Sequence, residues 1–339
     1  MYVDIVCGLQ RGDCAKGCVS KSVLEAFNHV NVCKVNGGGN AGHTVYHNNE
    51  KYVSHYLNSG IFSSQANIII GPATVLHVER FLKEVEEFEK TFSIKRRLFI
   101  AENVHIVTDK HLEDDSRGSI IGTTKQGIGY AYSDKALRIG LRAKDIEELE
   151  KYVINKYRLN ELIRKCPTLA EMSQGFWLDI DHGDYPYVTS SNCLPQHFFT
   201  TYGIPMNYCR KNIGVAKWYE TYSGYATGLL VCDQSDEENI RIAGKEFGST
   251  TGRARRIGYL DLDALSYAIT CTGINVLVMK KFDVLENTKI FNIIVDNSLI
   301  KFKDAVGMKG YFYKHMNYKH QGLKIIESNN ADGNDIDWS

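Results

Sequence analysis

Apolar segments of strand length alternate with segments of helical periodicity along most of this 339-residue chain. The pattern predicts strands at residues 3–7, 32–35, 67–70, 98–100, 104–107 and 274–279, and helices at residues 19–27, 78–91 and 143–157. Such alternation is typical of α/β proteins, because each parallel strand connection needs a crossover that a helix usually supplies. The sequence therefore predicts an α/β fold with a mostly parallel central sheet flanked by helices.

The chain shows no internal repeat and no linker rich in Pro, Gly or Ser, so we expect one domain over residues 1–326. Residues 327–339 are polar and acidic, which predicts a flexible tail. Ser20 and Thr168 are expected to cap helices, and Glu171 stands three residues after Thr168 as in a capping box.

Charge balance narrows the range of partners. The 40 Lys and Arg residues equal the 40 Asp and Glu residues, so no basic field is available for direct binding of nucleic acid. The apolar runs are shorter than the roughly 20 residues that cross a bilayer. The N-terminus lacks the basic start of a signal peptide, and the nine cysteines include no C-x-x-C pair. These features predict a cytoplasmic protein that acts on small molecules.

A glycine-rich segment follows the first predicted strand and precedes the first predicted helix. Residues 8–17 read GLQRGDCAKG. In a strand–turn–helix unit, backbone N–H groups and the helix N-terminus favour an anion, and Lys16 adds a full positive charge. The spacing differs from G-x-x-x-x-G-K-[ST], which disfavours an ordinary kinase or switch GTPase. A turn that merely contains a lysine remains the alternative at this point.

Three further clusters carry polar residues suited to phosphate or carboxylate. Residues 36–44, NGGGNAGHT, place His43 after three glycines, where it can donate to developing phosphate charge. Residues 121–129, IGTTKQGIG, precede Arg138 and suit a monophosphate. Residues 247–256, FGSTTGRARR, contain three arginines that can clamp carboxylates. A solvated surface loop is the alternative interpretation of each cluster.

In this order the clusters resemble the adenylosuccinate synthetase family. The matching pieces are QxGDxxKG at 10–17, GNAGHT at 39–44, SGI at 59–61, IGTT at 121–124, QG at 174–175, DIDHGxYPYVTSSN at 179–192 and GxTTGR at 248–253. The resemblance spans most of residues 1–285, and several motifs are too long for coincidence. It implies the P-loop-related fold of that family.

The family phosphorylates the 6-oxo group of a purine nucleotide and then lets the amine of L-aspartate displace the phosphate. By resemblance, Asp13 removes the N1 proton and ligates Mg²⁺ together with the carbonyl of Gly42. The resemblance further implies that His43 stabilises charge on the transferring phosphate. Lys16 and Gln174 complete the implied catalytic set.

The resemblance also implies three sets of binding residues. Those for the triphosphate are Gly12, Asp13, Cys14, Ala15, Lys16, Gly17, Gly42, His43, Thr44, Lys281 and Asp283. Those for the nucleoside monophosphate are Asn40, Ala41, Thr123, Thr124, Arg138, Gln174, Thr189 and Arg253. Those for L-aspartate are Ser249, Thr250, Thr251, Arg253 and Arg255. Arg138 is implied to reach the monophosphate of a neighbouring subunit, which predicts a homodimer.

Two departures from the cellular pattern bear on the substrates. Cellular members use GTP and read its base through a Lys-x-Asp element and a late Ser/Gly/Pro-Asp-Arg segment. Residues 281–283, KFD, match the first element, but an acidic tail stands in place of the second, so we expect ATP as donor and keep GTP as the alternative. Residues 223–226, SGYA, replace a Thr-Arg-Val-Gly segment beside the ribose, and Tyr225 offers an apolar face where a 2′-OH is missing.

These departures favour the viral branch of the family. That branch joins L-aspartate to dGMP and gives N6-succino-2-amino-2′-deoxyadenylate for 2,6-diaminopurine DNA of a phage, which would place the protein in a host cytoplasm. The first alternative is an ordinary adenylosuccinate synthetase that uses IMP and GTP. The second is a nucleotide-sensing module without catalytic activity.

Overall fold

The computed structural model describes residues 1–48, 50–118, 121–224, 230–248 and 252–339. Its strands are β1 Val3–Gly8, β2 Asn31–Gly37, β3 His43–His47, β4 Glu50–Ser54, β5 Asn67–Leu76, β6 Leu98–Ala101, β7 His105–Ile106, β8 Val153–Ile154, β9 Thr168–Glu171, β10 Cys209–Lys217, β11 Tyr219–Tyr222, β12 Arg256–Asp261, β13 Val276–Lys280, β14 Asn292–Val295, β15 Ser298–Lys301 and β16 Lys324–Ser328. Its α-helices are α1 Lys16–Phe27, α2 Val78–Phe92, α3 Asp109–Ser116, α4 Ile128–Leu137, α5 Lys156–Lys165, α6 Gln196–Tyr202, α7 Gln234–Gly244, α8 Leu262–Thr272, α9 Phe282–Thr288 and α10 Ala305–Lys319.

The main sheet runs in the order β16-β13-β10-β1-β9-β2-β5-β6-β8, and β7 adds to it beside β5. Its neighbouring strands pair in parallel. Val3 and Ile5 of β1 belong to the larger apolar core and Val6 to a second core that includes residues of α1. Both faces of the sheet are therefore covered, as parallel sheets require. The predicted α/β fold with a mostly parallel sheet is confirmed.

Two smaller sheets border the main one. The first has the order β11-β12-β14-β15, and the second is the hairpin β3-β4. Only Trp218 separates β10 of the main sheet from β11. Because the main strands are parallel, the loops that follow β1, β2 and β9 leave the same edge of the sheet, which is where ligands bind in open α/β folds.

The segment 143–157 differs from the expected amphipathic helix. It forms two 3₁₀ turns, Ala143–Asp145 and Glu147–Tyr152, followed by β8. The backbone N–H of Ala143 donates to the carbonyl of Val104 at 2.8 Å, so tertiary pairing with the neighbouring chain replaces helical bonding.

The two expected helix caps are also wrong. Thr168 and Glu171 are the ends of β9, which lies between β1 and β2 in the main sheet. Ser20 lies within α1, which begins at Lys16 after Ala15 in the left-handed conformation. A cap pattern of two residues is too short to override pairing with two neighbouring strands.

Residues 327–339 differ from the expected flexible tail. Strand β16 continues to Ser328, and Ile336 is buried in the core beside α1. The indole Nε1 of Trp338 donates to Ser22 Oγ at 2.9 Å, and its ring packs edge-on against Phe27. The acidic composition of this segment obscured two apolar side chains that gain by burial.

No helix in the described part of the chain is long and apolar enough to cross a lipid bilayer.

Replacement of Ile336 by Ala tests the packing of this segment. We expect the free energy of unfolding to fall by about 2 kcal/mol, because the variant leaves a cavity in a closed core. Urea denaturation measures the change, and Val306→Ala is the control because Val306 is 81% exposed. Equal unfolding midpoints for both variants would show that the segment does not pack in solution.

Candidate active site

The loop between β1 and α1 has a backbone suited to an anion. Gly12, Asp13 and Ala15 have φ values of 87°, 51° and 64°, in the left-handed region. Such turns direct consecutive N–H groups towards one point. No side chain caps α1, so the N–H groups of its first turn remain available to a ligand. The predicted phosphate-binding geometry is present at this loop.

Close backbone contacts bring the loops after β1, β2 and β9 together. A Cβ added to Gly17 would lie 3.6 Å from the Cβ of His43, which follows the β2 loop. A Cβ added to Gly175 would lie 2.1 Å from the carbonyl oxygen of Gln10, so only glycine fits there. The first, second and Gln174-containing motifs of the sequence thus meet at one edge of the sheet.

Buried side chains fix the phosphate-binding loop from below. Gln10 Nε2 donates to the carbonyls of Lys217 at 3.0 Å and Tyr219 at 3.2 Å, and its Oε1 accepts from the Lys217 N–H at 2.8 Å. Lys16 is buried, with Nζ 3.7 Å from Cys14 Sγ. The Cys14 side chain is fully buried, so this predicted triphosphate residue can contribute only its backbone.

Asp13 lies where the phosphate-binding loop meets the arginine loop. Its Oδ2 accepts from Ser223 Oγ at 2.9 Å and forms an ion pair with Arg255 Nε at 3.0 Å. About a third of the Asp13 side chain is exposed, at 32%, which leaves the carboxylate accessible to a substrate. The predicted general base and a predicted aspartate-binding residue are therefore in contact.

Arg255 also belongs to a buried charge network centred on Glu246. The Glu246 carboxylate accepts from Arg255 Nη1 at 2.5 Å, Tyr219 OH at 2.7 Å, Lys281 Nζ at 2.9 Å and Lys217 Nζ at 3.0 Å. Burial would raise the pKa of Glu246, but Lys217, Lys281 and Arg255 outweigh it and hold that pKa far below its usual range. Burial lowers the pKa of Lys217 to about 8, although Glu246 opposes this shift.

His43, at the start of β3, contacts a carboxylate of the main sheet. Its Nδ1 lies 2.5 Å from Glu171 Oε1, and the Ser59 N–H donates to Glu171 Oε2 at 3.0 Å. Burial opposes ionisation of Glu171, but His43 and the Ser59 N–H lower the pKa of this carboxyl. A carboxylate can only accept, so Nδ1 carries the proton and Nε2 remains for a ligand.

Gln174 and Asn40 lie near this edge as predicted. Gln174 has a φ of 57°, and its buried Oε1 has no hydrogen-bond partner among the described residues. The Gly38 N–H donates to Asn40 Oδ1 at 3.1 Å, so the Asn40 side chain shapes its own loop, and Ala41 is buried beside it. The unpaired acceptor of Gln174 suits a ligand with an N–H group.

The expected monophosphate loop is held by Asp115. This carboxylate accepts from Thr123 Oγ1 at 2.7 Å and from the Gly127 N–H at 2.9 Å. The Thr123 hydroxyl therefore positions the loop, and Thr124 beside it is partly exposed. Arg138 caps the C-terminal end of α4 with a φ of 66° and is exposed, so its predicted reach to a neighbouring subunit stays a prediction.

The other predicted monophosphate residues are partly exposed. The Thr189 N–H donates to the Leu178 carbonyl at 2.8 Å, which leaves the Thr189 side chain for other contacts. Arg253 follows the arginine-loop tip, and its carbonyl accepts from the Gly248 N–H at 2.8 Å. Ser249, Thr250, Thr251 and Tyr225 lie outside the described residues.

The expected donor-base element adjoins the end of β16. Lys281, with a φ of 65°, immediately precedes α9. The Phe282 N–H donates to Asn329 Oδ1 at 2.9 Å, so a residue of the acidic segment contacts this element. Asp283 Oδ1 is buried and has no hydrogen-bond partner within the described ranges.

The oxygen donors at Asp13 suit a magnesium ion that a substrate brings with it. The described residues contain no group of three His, Cys, Asp or Glu side chains placed to hold a metal. Mg²⁺ commonly takes one or two carboxylates and completes its shell with phosphates and water. The Asp13 carboxylate and the Gly42 carbonyl would be the protein ligands of such an ion.

Sequence reasoning missed several residues of this site. Glu246, Lys217 and Ser223 carry no motif, and Glu171 was assigned to a helix cap. Their one available signal was charge at the ends of apolar strands, since Lys217 ends β10 and Glu171 ends β9. Buried charges are rare unless they are paired, but the sequence does not show with what.

Replacement of Glu171 by Gln removes the charge that accompanies His43 Nδ1. We expect the free energy of unfolding to fall by about 1–3 kcal/mol, because a buried charge-assisted contact is lost. Urea denaturation measures it. Glu161→Gln, at an exposed ion pair with Lys165, should leave the midpoint unchanged. Equal midpoints for the two variants would contradict the buried pair.

Comparison with known proteins follows the same motifs. A family model described as adenylosuccinate synthetase matches residues 5–166 and 146–309. The adenylosuccinate synthetase of Thermosipho africanus is 34% identical over 332 residues, covering 86% of this chain and 82% of the relative. That of Thermotoga maritima is 32% identical over 368 residues, covering 96% of this chain and 91% of the relative.

Two solved structures share the architecture. Fully ligated adenylosuccinate synthetase from Plasmodium falciparum superposes with a TM-score of 0.85 and 25% identity, covering 99% of each chain. The succinoaminodeoxyadenylate synthetase of cyanophage S-2L, bound to dGMP and dATP, gives a TM-score of 0.71 at 19% identity, covering 93% of this chain and 99% of that one. At that identity the second likeness shows the fold alone.

Proposed function

The chain belongs to the adenylosuccinate synthetase family, and on this premise we propose that it joins L-aspartate to the 6-position of IMP with hydrolysis of GTP. The observation that carries the proposal is the ion pair between Asp13 and Arg255, 3.0 Å long, beside the phosphate-binding loop. It puts a general base and a carboxylate-binding group at one point, as a reaction of a purine with aspartate needs.

The proposed reaction begins with the acceptor base. Asp13 takes the N1 proton, and the resulting 6-oxyanion attacks the γ-phosphorus, forming an O6–P bond as the bond to the leaving diphosphate breaks. Lys16 and the N–H groups of the phosphate-binding loop stabilise the phosphate charge. His43, oriented by Glu171, donates to the transferring phosphate from Nε2.

The second step forms the carbon–nitrogen bond. Arg255 and the arginine loop bind the carboxylates of L-aspartate, whose amine attacks C6, and the C6–O bond breaks to release inorganic phosphate. A bound magnesium ion would neutralise part of the triphosphate charge. The products are the N6-succinyl nucleotide, a nucleoside diphosphate and phosphate.

The donor base is proposed to be guanine rather than the adenine expected from the sequence. Asp283 Oδ1 is a buried acceptor without a described partner. Guanine offers N1–H and a 2-amino group to such a carboxylate, whereas adenine presents an acceptor at N1. An unpaired buried acceptor is costly, so the ligand that pairs it gains discrimination.

The acceptor is proposed to be IMP rather than dGMP. The relatives at 32–34% identity are adenylosuccinate synthetases and are covered over most of their length. The phage enzyme shares only the fold, and Tyr225, on which the deoxyribose preference rested, lies outside the described residues. The dGMP reaction, and with it diaminopurine synthesis, is therefore the contrast in the assay below.

A four-way assay tests these substrates. Aspartate-dependent phosphate release is measured with IMP or dGMP, each combined with GTP or ATP. We expect kcat/KM to be highest for IMP with GTP, by at least about 100-fold over dGMP with ATP, about 2.7 kcal/mol of discrimination. The reverse order would favour the phage reaction. Nucleotide binding without release in any combination would favour the sensing module.

Replacement of Asp13 by Asn tests the general base. We expect turnover to fall by about 10²–10⁴-fold, because the amide cannot accept the N1 proton. The KM for GTP should change little, since the backbone of the loop holds the phosphates. Steady-state phosphate release measures both, with Asp109→Asn as the control, an exposed residue paired with His77. Turnover near that of the control would remove Asp13 from the chemistry.

A further inference from the structure

Glu246 touches the elements proposed to bind both the donor nucleotide and L-aspartate. We propose that it is a positioning residue that holds Lys281 and Arg255 in register, so that its loss weakens the donor-base and aspartate sites together. The inference rests on the proposed function, since it concerns the same two substrates. No motif or family resemblance in the sequence singled out this residue.

The contacts of Glu246 use both carboxylate oxygens. Oε1 accepts from Tyr219 OH at 2.7 Å, Lys281 Nζ at 2.9 Å and Lys217 Nζ at 3.0 Å. Oε2 accepts from Arg255 Nη1 at 2.5 Å. The side chains of Glu246 and Lys217 are fully buried, so water does not substitute for any of these bonds. One carboxylate thus compensates three cations.

On one side, Glu246 closes the base of the arginine loop. Its carbonyl accepts from the Arg255 N–H at 3.0 Å, in addition to the bond between the two side chains. Phe247 and Ala254, the next residues inward, form an antiparallel bridge. The predicted aspartate-binding residues lie between them, and Arg255 continues to Asp13. The direction of Arg255 therefore depends on Glu246.

On the other side, Glu246 holds the donor-base element and the phosphate-binding loop. Lys281 Nζ also donates to the Gly244 carbonyl at 2.7 Å, and Lys281 stands two residues before Asp283. Lys217, the third cation, is fixed through its backbone by Gln10 of the phosphate-binding loop. The carboxylate is thus a shared anchor for three loops that come from distant parts of the chain.

Electrostatics give the expected result of removing the charge. Without the carboxylate, Lys217, Lys281 and Arg255 repel one another in a buried site. The exposed fractions of the Lys281 and Arg255 side chains, 30% and 13%, show that Lys281 has the easier path to solvent. Arg255 keeps Asp13 as its remaining anion and is drawn further from an aspartate substrate. Both shifts act on ligand affinity rather than on the reacting atoms.

Glu246→Gln tests the inference in the full-length protein. We expect the KM for L-aspartate and the KM for GTP each to rise about tenfold, or about 1.4 kcal/mol, while the KM for IMP and kcat stay within about threefold. The affinity for a fluorescent GDP analogue, measured without turnover, should fall by a similar factor. Glu237→Gln is the matched control, because Glu237 also bonds two arginines, Arg241 and Arg256, away from the site.

The outcomes separate the inference from the proposed function. A lower melting temperature or lower kcat with both KM values unchanged would assign Glu246 a structural role only and overturn the proposal. Should the amide variant not fold, Glu246→Asp keeps the charge but is one methylene too short to span Lys281 and Arg255, and the same rise in both KM values is expected; unchanged values would again overturn it.

A wild-type protein without aspartate-dependent phosphate release would refute the proposed function by itself. In that case GDP binding still decides the role of Glu246. A roughly tenfold weaker binding in Glu246→Gln supports its hold on Lys281, whereas unchanged GDP affinity refutes it.

Discussion

The ion pair between Asp13 and Arg255 joins the phosphate-binding loop to the arginine loop, and Glu246 sets its geometry. Asp13 stands on a loop with three left-handed residues, and Arg255 reaches it from a different sheet. Neither loop has an apolar core of its own to fix it. Their relative position therefore depends on buried charges that must be paired, because an unpaired buried ion costs several kcal/mol.

Parallel pairing explains why these loops meet at all. Strands β1, β9 and β2 are neighbours in the main sheet, so their carboxyl ends deliver the phosphate-binding loop, the Gln174 segment and the His43 segment to one edge. Carboxylates support that edge from within the fold: Glu171 contacts His43, Asp115 holds the loop of Thr123, and Glu246 anchors Arg255. Each supporting residue is more buried than the group it orients, which limits alternative positions.

The substrates proposed for the chain follow from unpaired acceptors as well as from relatives. Gln174 Oε1 and Asp283 Oδ1 are buried without described hydrogen-bond partners. In a folded protein such atoms are uncommon and indicate where a ligand supplies the donor. One adjoins the proposed purine acceptor and the other the proposed donor base, so the same physical cost accounts for both recognition sites.

Local features of the chain were determined by the sequence itself. The glycine turns of residues 8–17 and 36–44 could be placed after strands because glycine and short apolar runs act over a few residues. The parallel sheet followed from the same alternation. The helix expected at 143–157 and the cap expected at Thr168 were wrong, because pairing with distant chain decided those segments. The tertiary structure alone decided that Glu171 meets His43 and that Glu246 joins Arg255 to Lys281. A buried charge selects its partner by position in space, and residues far apart in the chain acquire that position only when the sheet has formed.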